Sequence, residues 1–445
     1  MSDNGAPTTS RTGWAEQISA HFRLRLDPSL QDWFDSEIWR QIGTGEFRTP
    51  LAPETLLEPC PEPIWPGFMP PDVLPLIGNE YGDWLCLRVG ADDSVREVVY
   101  WYHGGGDWIP WGQTLPEAIA FQMIRDSLPG RFYRHADPAE PIRLTKPDDP
   151  LFQWASKFLP EAVIHTIAAL PDADSQADPL ARIEDLLKLD IATIPLHAEA
   201  ILRALDSPLR TLTPGIANRL GIDWGQEALL WMFDHKTIPE NRIADLAKEL
   251  GAAESEFQQQ DWDLAGRHAD KVLAERSDLG WAHHTAGWQA ERNGDLQTAV
   301  KHYSESLISS SFTEQGVRFR THGKEEGKFS ARRLLQITNQ NETVEIPQHQ
   351  PYWNRWSQTA GEKRVQAVAA HWRSAAQQAV AAGQHAQAYP MLINIGWDLG
   401  LRSVRDYGPL LWEIATAAER AGQAARAAVA ATHARCFEAR YGSGN

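Results

Sequence analysis

The stretch WLCLRVGADDSVREVVYWY, residues 84–102, decides the fold of the first third of the chain. Segments 84–89 and 95–102 show the alternation of residue types that is typical of strands. The second segment is also rich in β-branched and aromatic residues. The intervening GADDS, residues 90–94, has the residue types of a turn. The sequence therefore predicts a β-hairpin at this place.

Helical signals follow the hairpin. Glycines at positions 104–106 break the second strand, and Thr114 stands three residues before Glu117, which is the spacing of a capping box. Apolar residues at 115, 118, 119 and 123 then continue at helical spacing. We therefore predict an α+β domain over residues 14–145, with a small antiparallel sheet and flanking helices.

The rest of the chain shows amphipathic helical patterns and no convincing pair of strands. Residues 146–250 are expected to form a helical connecting region. Over residues 251–438 we predict an all-α region of helical repeats similar to the tetratricopeptide (TPR) type, because Asp261 and Asp295 lie 34 positions apart. Gly287 and Tyr303 fit the pattern of a small residue where two helices cross and a large one that fills the next layer.

A polar insertion, about residues 309–358, interrupts these repeats. Its centre, residues 317–333, has a local charge of +4 within an acidic chain. The cations are Arg318, Arg320, Lys324, Lys328, Arg332 and Arg333. Two interpretations are open: a solvated loop whose charges offset the acidic remainder, or a docking patch for an acidic partner.

Composition narrows the classes of function. Apolar residues make up 42% and charged residues 23% of the 445, which is typical of a folded protein. A net charge of −17 excludes a globally basic nucleic-acid binder. No apolar run approaches the roughly 18 residues of a membrane span, and the N-terminus lacks the apolar core of a secretory signal. Three distant cysteines predict neither a disulfide scaffold nor a zinc cluster, so we expect a cytoplasmic protein without a metal or cofactor.

Residues from about 38 to 124 resemble the SUKH superfamily, first described in yeast cell-wall-assembly regulators. Three segments carry the resemblance: IWRQIGTGEF (38–47) with LAPETLL (51–57), PLIGNEYGDWLCL (75–87), and VVYWYH (98–103) with the helix after Trp111. Ala52 stands where the family has Ser or Thr. The stretch from Asn79 to Leu87 is the most specific part.

The resemblance implies an α+β fold and a binding role. Bacterial members are similar to immunity proteins that neutralise polymorphic toxins, and eukaryotic members resemble scaffolds in signalling and wall synthesis. Neither group is catalytic as a class. The helical half lies outside the family pattern, so the resemblance implies nothing about its function.

The chain contains 19 Trp, and the candidate partner-binding residues come from the part of the sequence where Trp is densest. They are Glu80, Tyr81, Asp83, Trp101, His103, Asp107, Trp108 and Trp111. Trp108 and Trp111 stand in a Gly/Pro-rich stretch, where we expect a loop that exposes them as binding anchors, although core packing is the alternative. Residues 51–120 carry eleven acidic residues against two arginines. Such an acidic rim suits a basic protein partner, such as a toxin domain, unless the carboxylates serve solubility alone.

Enzymatic alternatives find less support. HGGG at 103–106 is similar to the oxyanion motif of some lipases, but the Gly-x-Ser-x-Gly nucleophile elbow is missing from the sequence. Exposed Trp with the carboxylates of Glu80 and Asp107 would suit a carbohydrate-active enzyme, although their spacing does not require it. The favoured hypothesis is a non-catalytic protein-binding module, in particular an immunity protein. A regulatory scaffold that links partners through its SUKH-like and TPR-like halves is the alternative.

Overall fold

Five strands form one antiparallel sheet, and their order in the sheet follows the chain. The structure is a computed structural model. It describes residues 13–128, 148–170, 178–205, 240–251, 261–310, 328–340 and 350–442, with isolated positions at 215, 218, 219, 221 and 312. The strands are β1 (Thr49–Pro50), β2 (Val73–Gly78), β3 (Trp84–Val89), β4 (Val95–Trp101) and β5 (Trp108–Gly112). The predicted hairpin is confirmed as β3 and β4, with Trp84 opposite Trp101.

The expectation of an exposed loop after the glycines is wrong, because residues 108–112 form strand β5. The backbone N–H of Tyr102 donates to the carbonyl oxygen of Asp107 at 2.9 Å, which closes a tight turn around the glycines and returns the chain to the sheet. Gly106 has a φ of +74°, a conformation that glycine adopts readily. Pro110 fits here because β5 is an edge strand, where a missing N–H removes no ladder hydrogen bond on the open side.

Both faces of the sheet are covered. On the first face, Leu85, Tyr100 and Trp111 join the main core, and helix α4 closes over them. On the second face, Cys86 and Val99 belong to a separate apolar cluster. Because the sheet is buried on both sides, residues that alternation alone would assign to the solvent face are buried as well.

Helices surround and follow the sheet. The first four are α1 (Trp14–Phe22), α2 (Pro28–Asp35), α3 (Pro53–Leu56) and α4 (Leu115–Ser127), with a 3-10 turn at Ile38–Arg40. The following ones are α5 (Pro150–Ala155), α6 (Glu161–Ala168), α7 (Pro179–Leu187), α8 (Thr193–Ala204) and α9 (Glu240–Glu249). The last nine are α10 (Trp262–Glu275), α11 (Gly280–Arg292), α12 (Leu296–Glu305), α13 (Phe329–Gln340), α14 (Gln350–Ser357), α15 (Gly361–Ala381), α16 (His385–Trp397), α17 (Tyr407–Arg420) and α18 (Ala424–Tyr441). The predicted α+β part followed by an all-α part is confirmed.

Helix α4 begins as the sequence predicts. The hydroxyl of Thr114 accepts the backbone N–H of Glu117, and the Glu117 carboxylate accepts the backbone N–H of Gln113 at 2.9 Å. These two bonds satisfy N–H groups that a helix start leaves without partners. The first turn of α4 is therefore fixed where the chain leaves β5.

Helices α10 to α18 pack each against the next along the chain, as in a helical repeat array. Asp261 and Asp295, 34 positions apart, cap equivalent helices, because each accepts the backbone N–H three residues on, at 2.8 Å and 3.1 Å. Gly287 of α11 faces the ring of Tyr303 of α12, and a Cβ at position 287 would lie 2.5 Å from that ring. The small-against-large pair that the repeat pattern predicts is present.

The predicted polar insertion needs correction where the structure describes it. Helices α13 and α14 lie within 309–358, and their side chains enter the core. Lys328 is buried in an ion pair with Asp398, and Arg333 pairs with Glu291. These two cations therefore serve internal contacts rather than a docking patch, since partners distant in sequence neutralise them. Arg318, Arg320 and Lys324 lie outside the described residues.

The last helix returns to the sheet. Burial lowers the pKa of His433 to about 4, and the neutral ring donates through Nε2 to the carbonyl oxygen of Val73 at 2.9 Å. The guanidinium of Arg426 donates to the carbonyl oxygen of Val89 at 3.1 Å. Asp93, in the hairpin turn, accepts the backbone N–H of Ala425 at 2.8 Å. The end of the helical array is thereby attached to β2 and to the β3–β4 hairpin.

No helix in the described ranges is both long and apolar enough for a bilayer crossing.

Substitution Gly287→Ala tests the repeat packing. The added methyl group would have to displace the Tyr303 ring, so we expect the free energy of unfolding to fall by about 1 to 3 kcal/mol, despite the better helix propensity of Ala. Gly104→Ala is the matched control, because nothing lies within 4 Å of a Cβ at that position. The measurement is urea denaturation. Equal stability of the two variants would contradict this packing.

Candidate functional site

The structure divides the eight candidate residues into two groups. Glu80, Tyr81, Asp83 and His103 come together at one end of the sheet, where the β2–β3 turn meets the end of β4. Trp101, Asp107, Trp108 and Trp111 lie along β4 and β5 and in the turn between them. In the first group the side chains of Glu80, Tyr81 and His103 are exposed, whereas that of Asp83 is largely buried.

The β2–β3 turn holds Tyr81 outward. The side-chain oxygen of Asn79 accepts the backbone N–H groups of Tyr81 and Asp83, both at 2.9 Å, and the Asn79 N–H donates to the carbonyl oxygen of Asp83. Gly82 has a φ of +89°, which a residue with a side chain adopts only with strain. The ring of Tyr81 stays 54% exposed on this ordered backbone.

Asp83 ties the turn to the neighbouring strand end. Its Oδ1 accepts the backbone N–H of His103 at 2.9 Å and lies 2.9 Å from the His103 ring Nδ1. Its Oδ2 accepts the hydroxyl of Tyr100 and the amide of Asn79, both at 3.1 Å. Four donors around one carboxylate fix the relative positions of the two chain segments.

A buried charge cluster supports the turn from below. The Tyr100 hydroxyl shares its one proton between Asp83 and Glu46, whose carboxylate oxygen lies 3.2 Å away. Glu46 also lies 3.4 Å from Arg125, which pairs with Glu199 of α8 at 3.1 Å. Burial alone would lower the pKa of Arg125, but the two carboxylates outweigh it and raise that pKa. Burial together with Glu46 and Asp83 raises the pKa of Tyr100, so the hydroxyl stays protonated and donates. The turn thus rests on a charged layer that reaches the helical part.

Around Tyr81 the exposed groups carry both signs of charge. Glu80 forms an ion pair with Arg48; the Glu80 side chain is largely exposed and the Arg48 side chain is partly exposed. The His103 ring is 45% exposed beside Asp83. We call Arg48, Glu80, Tyr81 and His103 the Tyr81 surface.

Trp111 contradicts the expectation that it is an exposed anchor. The side chain is 3% exposed, and its ring packs edge-on against Tyr100 at 4.8 Å and Phe121 at 4.6 Å. The guanidinium of Arg125 lies 4.8 Å above the indole. The reason is that residues 108–112 continue the sheet, so Trp111 points into the core beneath α4. Trp101 and Asp107 are also fully buried, at 0% exposure.

Trp108 is partly buried and lies on the other side of the sheet. The guanidinium of Arg88 stands 4.3 Å from its ring centre. Trp108 lines a cleft between the second face of the sheet and the helices. It is therefore a lining residue of a concave site and not an anchor on a protruding loop.

The predicted acidic rim is partly internal. Asp72 and Glu97 are buried and pair with Arg88, at 3.0 Å and 3.6 Å, and Glu97 also pairs with Arg276. Asp107 is buried as well. Asp72 and Glu97 offset arginines within the fold, and none of the three buried carboxylates adds negative surface for a basic partner.

The carboxylate pair considered for a carbohydrate-active enzyme is not assembled in the structure. Glu80 is exposed whereas Asp107 is fully buried, so the two do not form a carboxylate pair in one open site. Within the described ranges no group of three His, Cys, Asp or Glu side chains could hold a metal ion. Burial raises the pKa of Cys86, and burial with Cys60 nearby raises that of Cys436 to about 12, so both thiols are protonated at neutral pH.

Sequence reasoning missed the residues that support Tyr81. Asn79 stands in the quoted NEYGD segment, and an Asn two residues before the exposed position is a signal for this kind of turn. Arg48 and Arg125 gave no such signal, because their partners are 32 and 74 to 79 positions away in the chain.

Comparison with protein-family models, with curated proteins and with solved structures finds no match for this chain.

Trp111→Ala tests the assignment of Trp111 to the core. Removing a buried indole should lower the free energy of unfolding by about 3 to 5 kcal/mol. Trp65→Ala is the control, because Trp65 is 42% exposed and its loss should cost less than about 1 kcal/mol. Chemical denaturation of both variants is the measurement, and a Trp111→Ala protein as stable as the control would place Trp111 at the surface after all.

Proposed function

We propose that this chain is a non-catalytic protein-binding protein that recognises its partner through the Tyr81 surface. The observation that carries the proposal is the exposed Tyr81 ring on a turn fixed by Asn79 and Asp83. Tyrosine is among the residues that contribute most to binding energy at protein interfaces. An aromatic side chain on an ordered turn is suited to act as an anchor.

Rigidity of the turn supports this role. Binding costs free energy when loops must become ordered in the complex. The hydrogen bonds of Asn79 and Asp83, and the buried pairing of Arg125 with Glu46 and Glu199, order this turn in the free protein. Less ordering is then required when the partner arrives.

We propose an immunity protein as the specific form of this function. The resemblance of residues 38–124 to the SUKH superfamily supports it, since bacterial members are similar to proteins that neutralise toxins. The net charge of −17 would speed the approach of a basic toxin domain, because long-range attraction mainly raises the association rate. The proposed place of action is the cytoplasm, and the free state of all three cysteines agrees with a reducing compartment.

A regulatory scaffold is the second candidate, and one feature of the helical array favours it. A groove of about 500 Å³ lies between α15, α16 and α17 and is lined by apolar residues such as Val380 and Leu392. Trp412 lines the same groove and is 38% exposed. Such a groove would suit an apolar helix face from a partner.

A growth assay tests the proposal. The cells in this assay express the toxin domain that is encoded beside this chain's gene. Co-expression of the chain should restore growth, and Tyr81→Ala should abolish the rescue because the anchor is lost. Tyr441→Ala is the matched control, since Tyr441 is 43% exposed at the end of α18. It should rescue as the unaltered chain does.

Each other outcome is informative. Rescue that survives Tyr81→Ala would contradict the Tyr81 surface. Loss of rescue in Trp412→Ala instead would favour the groove between α15 and α17. A chain that rescues no cells, or a gene without a neighbouring toxin, would contradict the immunity function.

A further inference from the structure

Two of the three cysteines meet where the last helix returns to the sheet. Cys60 follows α3 in the segment that leads to β2, and Cys436 lies in α18, 376 positions later in the chain. The thiol of Cys60 donates to the carbonyl oxygen of Arg435 at 3.6 Å. The thiol of Cys436 donates to the carbonyl oxygen of Pro61 at 3.8 Å. Each thiol therefore contacts the backbone beside the other cysteine.

The two thiols also act on each other. Burial and a hydrogen bond with the Cys60 thiol raise the pKa of Cys436 to about 12, although the nearby charges of Arg440 and Arg435 act in the opposite direction. A single buried cysteine ordinarily serves as a small apolar side chain, whereas two cysteines that face each other can be oxidised to a disulfide. The pair is reduced in this structure.

Contacts on both sides of the pair hold the two segments together. Arg440, one turn after Cys436, donates to the carbonyl oxygen of Glu62. His433, just before Cys436, donates to the carbonyl oxygen of Val73 at 2.9 Å. A disulfide often fails to stabilise a protein when it distorts the native backbone. Here the folded chain already keeps the two cysteines opposite each other.

The three cysteines differ in how far an external reagent can reach them. Cys60 is partly exposed, whereas Cys436 is 0% exposed. Cys86 is also 0% exposed and lies in the apolar cluster on the second face of the sheet. Access to the sulfur is one of the conditions for exchange with a disulfide. Cys60 is therefore the thiol that an oxidant meets first, and Cys436 is the thiol that can react with it next.

We propose that Cys60 and Cys436 form a reversible disulfide by exchange with low-molecular-weight disulfides, and that this bond fastens α18 to the segment before β2. The Cys60 thiolate attacks one sulfur of the small disulfide and releases one small thiolate. The Cys436 thiolate then attacks the Cys60 sulfur of the mixed disulfide, which forms the protein disulfide and releases the second small thiolate. The two protons of the protein thiols pass to the released thiolates, so two thiols are oxidised and one small disulfide is reduced.

The consequence of the bond is a covalent link between distant parts of the chain. A disulfide stabilises a protein mainly by restricting its unfolded state, and a longer enclosed loop gives a larger effect. The loop from Cys60 to Cys436 includes most of the 445 residues. We therefore expect the oxidised chain to unfold at a urea concentration about 1 M higher than the reduced chain. The proposal is independent of the Tyr81 surface and of the immunity function, because neither involves these thiols.

Oxidation of the folded full chain tests the pair. The reduced protein is incubated with oxidised glutathione in a mildly alkaline buffer without denaturant. The remaining thiols are then blocked with N-ethylmaleimide in urea, and the digested protein is analysed by mass spectrometry. We expect a cross-linked pair of peptides that contain Cys60 and Cys436, with Cys86 recovered as the blocked thiol. Dithiothreitol should remove the cross-link.

Two variants assign the reaction to its residues. Cys86→Ala is the matched control, because it removes the one cysteine outside the pair and should form the cross-link as the unaltered chain does. In Cys60→Ser, Cys436 should stay reduced, since the oxidant cannot reach a buried thiol. The urea midpoint of Cys60→Ser should therefore not respond to oxidised glutathione. Circular dichroism before oxidation confirms that both variants are folded.

Three results would overturn the proposal. One is a folded chain in which both thiols stay free in excess oxidised glutathione. Another is glutathione on Cys60, or a dimer linked through Cys60, as the end product while Cys436 remains a thiol. The third is a cross-link that forms only in urea, since the folded structure would then not be what brings the two cysteines together.

Discussion

Charged side chains on the second face of the sheet are the feature on which the architecture depends. Arg88 and Glu97 stand opposite each other in the strand register, and Asp72 adds a second carboxylate. Burying such charges costs several kcal/mol per ion unless they are paired. Arg276, at the end of α10, supplies the further cation to Glu97, so the helical array completes a pairing that the sheet begins.

This covering of the second face determines where ligands can approach. The first face lies under α4, and the second lies under helices whose last member is attached at Val73 and Val89. Open surface of the sheet remains at its end, where Tyr81 projects. Because the helices bridge the second face without filling it, a cleft remains between them and Trp108.

Local patterns predicted the elements but not how they cover one another. The 84–102 hairpin, the cap at Thr114 and the 34-residue repeat depend on neighbouring residues, and all three are present. The strand at 108–112 was missed because Gly and Pro dominate its surroundings, although an edge strand tolerates Pro110. The burial of Trp111 and the internal role of Lys328 depend on partners far along the chain, which no local pattern contains.

A double-mutant cycle between Glu97 and Arg276 tests most directly whether the buried pairing joins sheet and helices. The free energy of unfolding is measured in urea for the unaltered chain, Glu97→Gln, Arg276→Gln and the double variant. We expect a single cooperative transition and a coupling energy of about 0.5 to 3 kcal/mol, the magnitude found for residues in one ion-pair network. Effects that add to within about 0.5 kcal/mol, or separate transitions for the sheet and the helices, would contradict it.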